Sequence, residues 1–112
     1  MYNINLLNNE EVHAIFDDIL IKQGKKQRFT TVAITNQRLL FLDYFLNTSV
    51  EEALRISHGI DYLRMKEVYY QINLKDIIKI YEDKFYVISC KNNITIEFEE
   101  KDLYELLLSQ IS

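Results

Sequence analysis

Alternating apolar and polar residues recur along much of this chain. The clearest run is residues 67–74, where Val68, Tyr70, Ile72 and Leu74 fall on one side of an extended backbone. Alternation with a period of two predicts a strand with one buried face. The full set of strands predicted in this way is 27–35, 38–45, 67–74, 77–81, 85–91 and 94–98.

Two connections between these strands have the composition of tight turns. Thr35-Asn36-Gln37 joins the first pair of strands, and Asn92-Asn93 joins the last pair. Asn tolerates the positive φ that a short hairpin turn requires. We therefore predict a hairpin at each position.

The last segment changes from a two-residue to a helical period. Leu103, Leu106, Leu107 and Ile111 lie on one face of a predicted amphipathic helix over residues 100–111. A helix of this length is marginal alone, so we expect its apolar face to pack against the sheet.

Residues 46–66 interrupt the alternation between the third and fourth strands. Thr48 or Ser49 can cap a helix, and Gly59 can end it. We predict a short helix over about residues 49–58, followed by an irregular return.

Residues 10–23 support two interpretations. Periodicity alone favours a helix, because five apolar side chains have helical spacing. The alternative is a strand, broken or bulged near Asp17-Asp18, which turns through Gly24-Lys25-Lys26. The apolar positions with helical spacing are Val12, Ile15, Phe16, Ile19 and Leu20.

Composition restricts the class of protein and its partners. A chain of 112 residues with 48% hydrophobic residues predicts one domain over 1–112, with an Asn-rich lead-in at 1–9. The net charge of −4 leads us to expect no nucleic-acid partner, and it disfavours binding to anionic lipid. A lone cysteine and no long apolar run predict a cytoplasmic protein.

No set of residues indicates a reaction. Cys90 is the only cysteine, and we expect it to be a small buried apolar residue rather than a nucleophile paired with His13 or His58. Clustered metal ligands and a glycine-rich phosphate loop are both missing from the sequence. We therefore predict that the protein is not an enzyme and uses no cofactor or metal.

Three segments carry a likeness to a known family. They are Glu10-Glu11-Val12, the run AITNQRLLFLD at 33–43 and the run QINLKDI at 71–77. Their order resembles the pleckstrin-homology-like (PH-like) superfold, in particular bacterial PH-like and GRAM-like domains, over roughly residues 10–112.

The resemblance implies a mainly β fold with a helix. About seven antiparallel strands would form a bent, partly open barrel, with a short helical insertion at 46–66 between strands 3 and 4. The C-terminal helix would cap the barrel. The resemblance also favours a strand over residues 11–22.

Four cations cluster at the predicted first hairpin: Lys22, Lys25, Lys26 and Arg28. They satisfy the loose basic pattern with which PH domains hold inositol phosphates, and converging cations do bind phosphate strongly. The alternative is a solvated turn whose charges prevent edge pairing. For the neighbouring Arg38 we expect a structural role, such as pairing with an acid of the sheet.

Three tyrosines, Tyr69, Tyr81 and Tyr86, are candidate interface residues on outer faces of the sheet. We predict a non-catalytic binding or assembly module that contacts a protein partner or a second copy. The alternative is a peripheral membrane or anionic-ligand binder that uses the basic hairpin.

Overall fold

The computed structural model describes residues 2–44 and 65–111, which form one eight-stranded sheet and one α-helix. The sheet order is β1-β5-β4-β3-β2-β8-β7-β6. The elements are β1 (Tyr2–Asn3), β2 (Val12–Gln23), β3 (Lys26–Thr35), β4 (Arg38–Tyr44), β5 (Lys66–Asn73), β6 (Ile77–Glu82), β7 (Tyr86–Cys90), β8 (Ile94–Phe98) and α1 (Lys101–Ile111).

The strand β2 connects the two halves of the sheet. It pairs with β3 along its length, and at its end Ile21 lies opposite Phe98 of β8. The register shifts by one residue between Phe16 and Ile19, where Asp18 has a φ of 58°. The strand over 11–22, with a bulge near Asp17-Asp18, is therefore confirmed.

The main core lies on one face of the sheet, which we call the inner face. Its buried side chains come from β2, β3, β4, β5, β7 and β8. Leu103 and Leu107 of α1 are 1% and 0% exposed and belong to the same cluster. Burying each leucine contributes about 1.5–3 kcal/mol, which is what keeps so short a helix folded. The predicted packing of the helix against the sheet is confirmed.

A second, smaller core lies on the opposite, outer face. Ala33, Leu40 and Leu42 are completely buried there, and Ile4 packs against them. Residues 2–11, which we call the N-terminal strap, cross this face. The strand pair β3–β4 is apolar on both sides because each side is covered.

The strap accounts for a difference from the predicted architecture. Its first residues form β1, which pairs in parallel with Lys66 and Glu67 of β5. The sheet therefore has eight strands rather than about seven, and the lead-in over residues 1–9 includes a strand.

The predicted helix over 49–58 lies outside the described residues. Within the described ranges, no helix is long and apolar enough to cross a membrane. The same ranges hold no group of three or more His, Cys, Asp or Glu side chains placed to bind a metal ion.

Candidate functional site

A cavity of about 210 Å³ opens on the inner face beside the β2–β3 hairpin. Its floor is apolar: Ile21, Phe41 and Ile96 are 7%, 2% and 1% exposed. Tyr70 completes the floor, and its ring centroid lies 5.7 Å from that of Phe41. These side chains belong to the main core or pack directly against it, so their positions are fixed by the fold.

Polar side chains of the hairpin form the mouth of the cavity. In the register of β2 and β3, Lys26 lies opposite Gln23 and Arg28 lies opposite Ile21. Cross-strand partners share a face of the sheet, which directs Lys26 and Arg28 toward the cavity. Gln23 shares that face and also lines the cavity, whereas Gln27 borders it but pairs with Lys22, on the opposite face.

Arg28 is held in place by two contacts. Its guanidinium forms an ion pair with Asp43, and it lies 4.2 Å from the centre of the Tyr69 ring. The ammonium of Lys26, by contrast, has no hydrogen bond or ion pair with any residue in the described ranges. The mouth therefore contains one neutralised cation and one available cation.

The other two predicted cations lie elsewhere. Lys22 follows Ile21 in β2 and so points to the opposite face, where its ammonium lies 3.7 Å from the centre of the Phe85 ring. Lys25 occupies the turn next to Gly24, whose φ is 63°, and does not line the cavity. The structure brings together two of the four cations, Lys26 and Arg28.

Tyr69 reaches the cavity because β5 is bulged. Phe41 pairs with Tyr70 and Leu42 pairs with Val68, which leaves Tyr69 as an extra residue. Strict alternation would place it on the face opposite Tyr70. Instead the Tyr69 hydroxyl donates a hydrogen bond to Thr30 Oγ1 at 2.9 Å, and its ring lines the cavity. The expected outer-face position of Tyr69 is therefore wrong, because the bulge turns its side chain toward the inner face.

The other two tyrosines lie on different faces. Tyr81 in β6 is 39% exposed. Tyr86 shares the inner face of β7 with Ile88 and Cys90, and its ring stacks on Tyr104 of α1 at 4.3 Å. Its expected position on an outer face is wrong, because its ring anchors the helix to the sheet.

A buried ion pair between Arg38 and Glu10 fixes the strap. Arg38 donates from Nε to Glu10 Oε2 at 2.8 Å and from Nη2 to Glu10 Oε1 at 2.6 Å. It also donates to Gln71 Oε1 at 2.6 Å and to the Asn5 carbonyl at 3.0 Å. The acid that pairs with Arg38 is thus in the strap.

The hydrogen bonds of Arg38 lower the pKa of Glu10 to about 2, although burial opposes the shift. The same pair raises the pKa of Arg38. Both groups are charged at neutral pH, and the pair acts as a structural anchor.

The turn Thr35-Asn36-Gln37 binds the strap as well. Thr35 Oγ1 donates to Glu10 Oε2 at 2.7 Å and accepts from the Arg38 N–H at 2.8 Å. The Asn36 amide donates to the Asn9 carbonyl at 2.9 Å, and the Gln37 amide donates to the Asn8 carbonyl at 2.9 Å. The polar part of the family-like run therefore has a structural role in this chain.

Two further reactive groups also have structural roles. Asp17 accepts hydrogen bonds from the hydroxyls of Tyr2 and Thr31 at 2.6 and 2.7 Å, and these bonds lower its pKa to about 2. Cys90 is 4% exposed, as expected, and burial followed by the charge of Asp76 raises its pKa. A raised pKa makes the thiol a poorer nucleophile.

Comparison with solved structures identifies the fold. The Vps36 N-terminal PH domain matches with a TM-score of 0.54 at 12% identity, covering 95% of this chain and 78% of that one. A structure described as Vav1 inhibited by an allosteric inhibitor matches with a TM-score of 0.55 at 8% identity. That match covers 89% of this chain and 25% of the Vav1 chain.

Sequence comparison adds no relative. No protein-family model and no curated protein matches this chain. Identities this low show the fold alone, which is PH-like, and the predicted superfold is confirmed. The bacterial and GRAM-like assignment stays a prediction.

Proposed function

Starting from a PH-like fold, we propose that this chain is a non-catalytic assembly module. It would bind a protein partner or a second copy through the edge of its sheet at β6. One observation carries the proposal: β6 ends the sheet, and its Ile78 and Tyr81 are 64% and 39% exposed.

The two ends of the sheet differ in their protection. On one side β1 pairs with Lys66 and Glu67 at the start of β5. On the other side, β6 pairs only with β7 among the described strands. An unpaired edge offers backbone N–H and C=O groups to another strand, and exposed apolar side chains on that edge add buried area.

A two-fold axis through this edge would pair two β6 strands in antiparallel order. That order sets the half of β6 that contains Lys79 against the half that contains Glu82 in the second copy. The opposite charges favour this arrangement over a parallel one, in which like charges would meet.

The test combines light scattering with co-purification on wild type, Ile78→Glu and Phe29→Glu. Phe29 is the matched control, because it is 66% exposed but belongs to β3 in the middle of the sheet. Losing the burial of one isoleucine costs about 1.5–3 kcal/mol, so Ile78→Glu should weaken association by about 10- to 100-fold. We expect Phe29→Glu to change it by less than about twofold.

Two results contradict the assembly proposal. One is a wild-type protein that stays monomeric and retains no partner. The other is equal behaviour of the two glutamate variants, since the edge would then have no special part in association.

A second candidate function is binding of an anionic ligand at the hairpin. It is favoured by the convergence of Lys26 and Arg28 on one cavity. The fraction of the protein that floats with acidic liposomes should fall when Lys25, Lys26 and Arg28 are all changed to Ala. Equal flotation of both proteins, or none for either, rejects a membrane ligand.

A further inference from the structure

We propose that the cavity beside the hairpin binds a small apolar monocarboxylate, with the carboxylate at Lys26 and the apolar body on the floor. This inference rests on the second candidate function, and it names the chemistry of that ligand. It is independent of assembly through β6.

The net charge at the mouth of the cavity favours a ligand with a single negative charge. Arg28 and Asp43 form an ion pair, so their charges cancel and Lys26 alone supplies net positive charge. Lys22, which would add a second free cation, lies over Phe85 on the other face. A polyphosphate needs several convergent cations, whereas a carboxylate is satisfied by one ammonium and neighbouring amide donors.

Gln23 supplies such an amide donor. It lines the cavity, and its side chain has no hydrogen-bond partner among the residues that the structure describes. It lies opposite Lys26 in the hairpin, so two donor groups stand together at the mouth. Unused donors beside an apolar surface are the usual means of orienting a small ligand.

The floor selects an apolar body. Ile21, Phe41 and Ile96 present hydrocarbon, and Tyr70 is the only floor side chain with a polar atom, so a sugar ring would lose most of its hydrogen bonds to water there without replacement. Burying apolar ligand surface on these side chains contributes favourably instead.

The size of the cavity limits that body. An apolar cavity of about 150 Å³ accepts benzene, and pockets for drug-sized ligands begin at about 300 Å³. A cavity of about 210 Å³ lies between these values. It therefore fits one aromatic ring or a short acyl chain, and octanoate is a suitable probe.

The experiment titrates octanoate, below its micelle-forming concentration, into the full chain and follows binding by calorimetry and by ¹H–¹⁵N NMR. We expect saturable 1:1 binding with shifts at Ile21, Phe41 and Ile96. Octylammonium, which has the same tail and the opposite charge, should not bind.

Matched variants locate the carboxylate. Lys26→Glu should weaken octanoate binding at least tenfold. Lys25→Glu has the same change in charge one residue away, outside the cavity, and should weaken binding less than twofold. Both positions are exposed in the hairpin, so both variants should fold.

Three results would overturn the inference: no saturable octanoate binding, equal weakening by the two variants, or NMR shifts confined to residues outside the cavity. Acidic-liposome or phosphate binding without octanoate binding would overturn it and leave the second candidate function standing. If the protein binds neither octanoate nor acidic liposomes nor phosphate, both this inference and the second candidate function are rejected.

Discussion

At the residue scale, the pair Glu10–Arg38 does the most to define this structure. The side chains are 0% and 8% exposed, and the guanidinium joins β4 to the strap at Glu10 and Asn5 and to β5 at Gln71. Removing one member of a buried pair leaves an uncompensated charge and costs about 3–5 kcal/mol.

We therefore expect Glu10→Gln to lower the free energy of unfolding by about 3 kcal/mol, measured by urea denaturation. Glu11→Gln is the matched control, because Glu11 is exposed and contacts the turn only through its backbone N–H and carbonyl. The control should change the free energy by less than about 0.5 kcal/mol. Equal effects at the two positions would contradict an anchoring role for the pair.

The lowered pKa of Glu10 also predicts a dependence of stability on pH. The pKa is about 2 in the folded chain against an ordinary value of 4.5, so the folded state favours the ionised carboxylate. Its stabilising contribution is complete above about pH 4.5 and is lost as the pH falls toward 2.

Urea midpoints measured across this window should therefore fall with pH in the wild type. They should fall less steeply in Glu10→Gln, where the slope due to Asp17 remains because its pKa is lowered too. Parallel curves for the two proteins would show that Glu10 does not carry the effect.

At the scale of elements, regular alternation predicted β3, β4, β5 and β8 closely, and the leucine pattern predicted α1. The bulges were harder to predict. Two register shifts, between Val12 and Ala14 and between Phe16 and Ile19, interrupt the alternation of β2, so its apolar side chains have helical spacing. Periodicity alone therefore favours a helix, and only the family resemblance indicates a strand. No feature of the sequence indicates the bulge in β5, and the face predicted for Tyr69 is therefore wrong.

The strap was also beyond prediction from the sequence. A strand of two residues has no alternation to recognise, and Glu10 meets Arg38 across 28 positions of sequence. The cavity was predicted only in part. The basic cluster indicated the hairpin, but the charge that cancels Arg28 comes from Asp43, fifteen residues away on the next strand.

The helix α1 offers a direct test of its packing. Leu107→Ala should lower the free energy of unfolding by about 3 kcal/mol, because it removes a fully buried side chain and leaves a cavity. Ser109→Ala on the exposed face should change it by less than about 0.5 kcal/mol. Similar values for both would mean that the helix does not close the core. Chemical denaturation followed by circular dichroism makes the measurement.

At the scale of the whole molecule, the two edges of the sheet differ among the described strands: β1 pairs with the first two residues of β5, whereas β6 pairs only with β7. The strap packs over Ala33, Leu40 and Leu42, while β6 presents Ile78. This asymmetry would direct association to a single side, so that two copies form a closed pair rather than an extended fibre. None of the residues that line the proposed ligand cavity belongs to β6, so the two proposed functions can coexist in one chain.

The bulge in β2 has a consequence for the hairpin. The extra residue at Asp18 determines on which face of the sheet each later side chain of β2 lies. Deleting Asp18 would swap the sides of Ile21 and Lys22, driving an ammonium into the hydrocarbon interior and turning an isoleucine out to solvent. A single position outside the cavity thus determines which side chains line it.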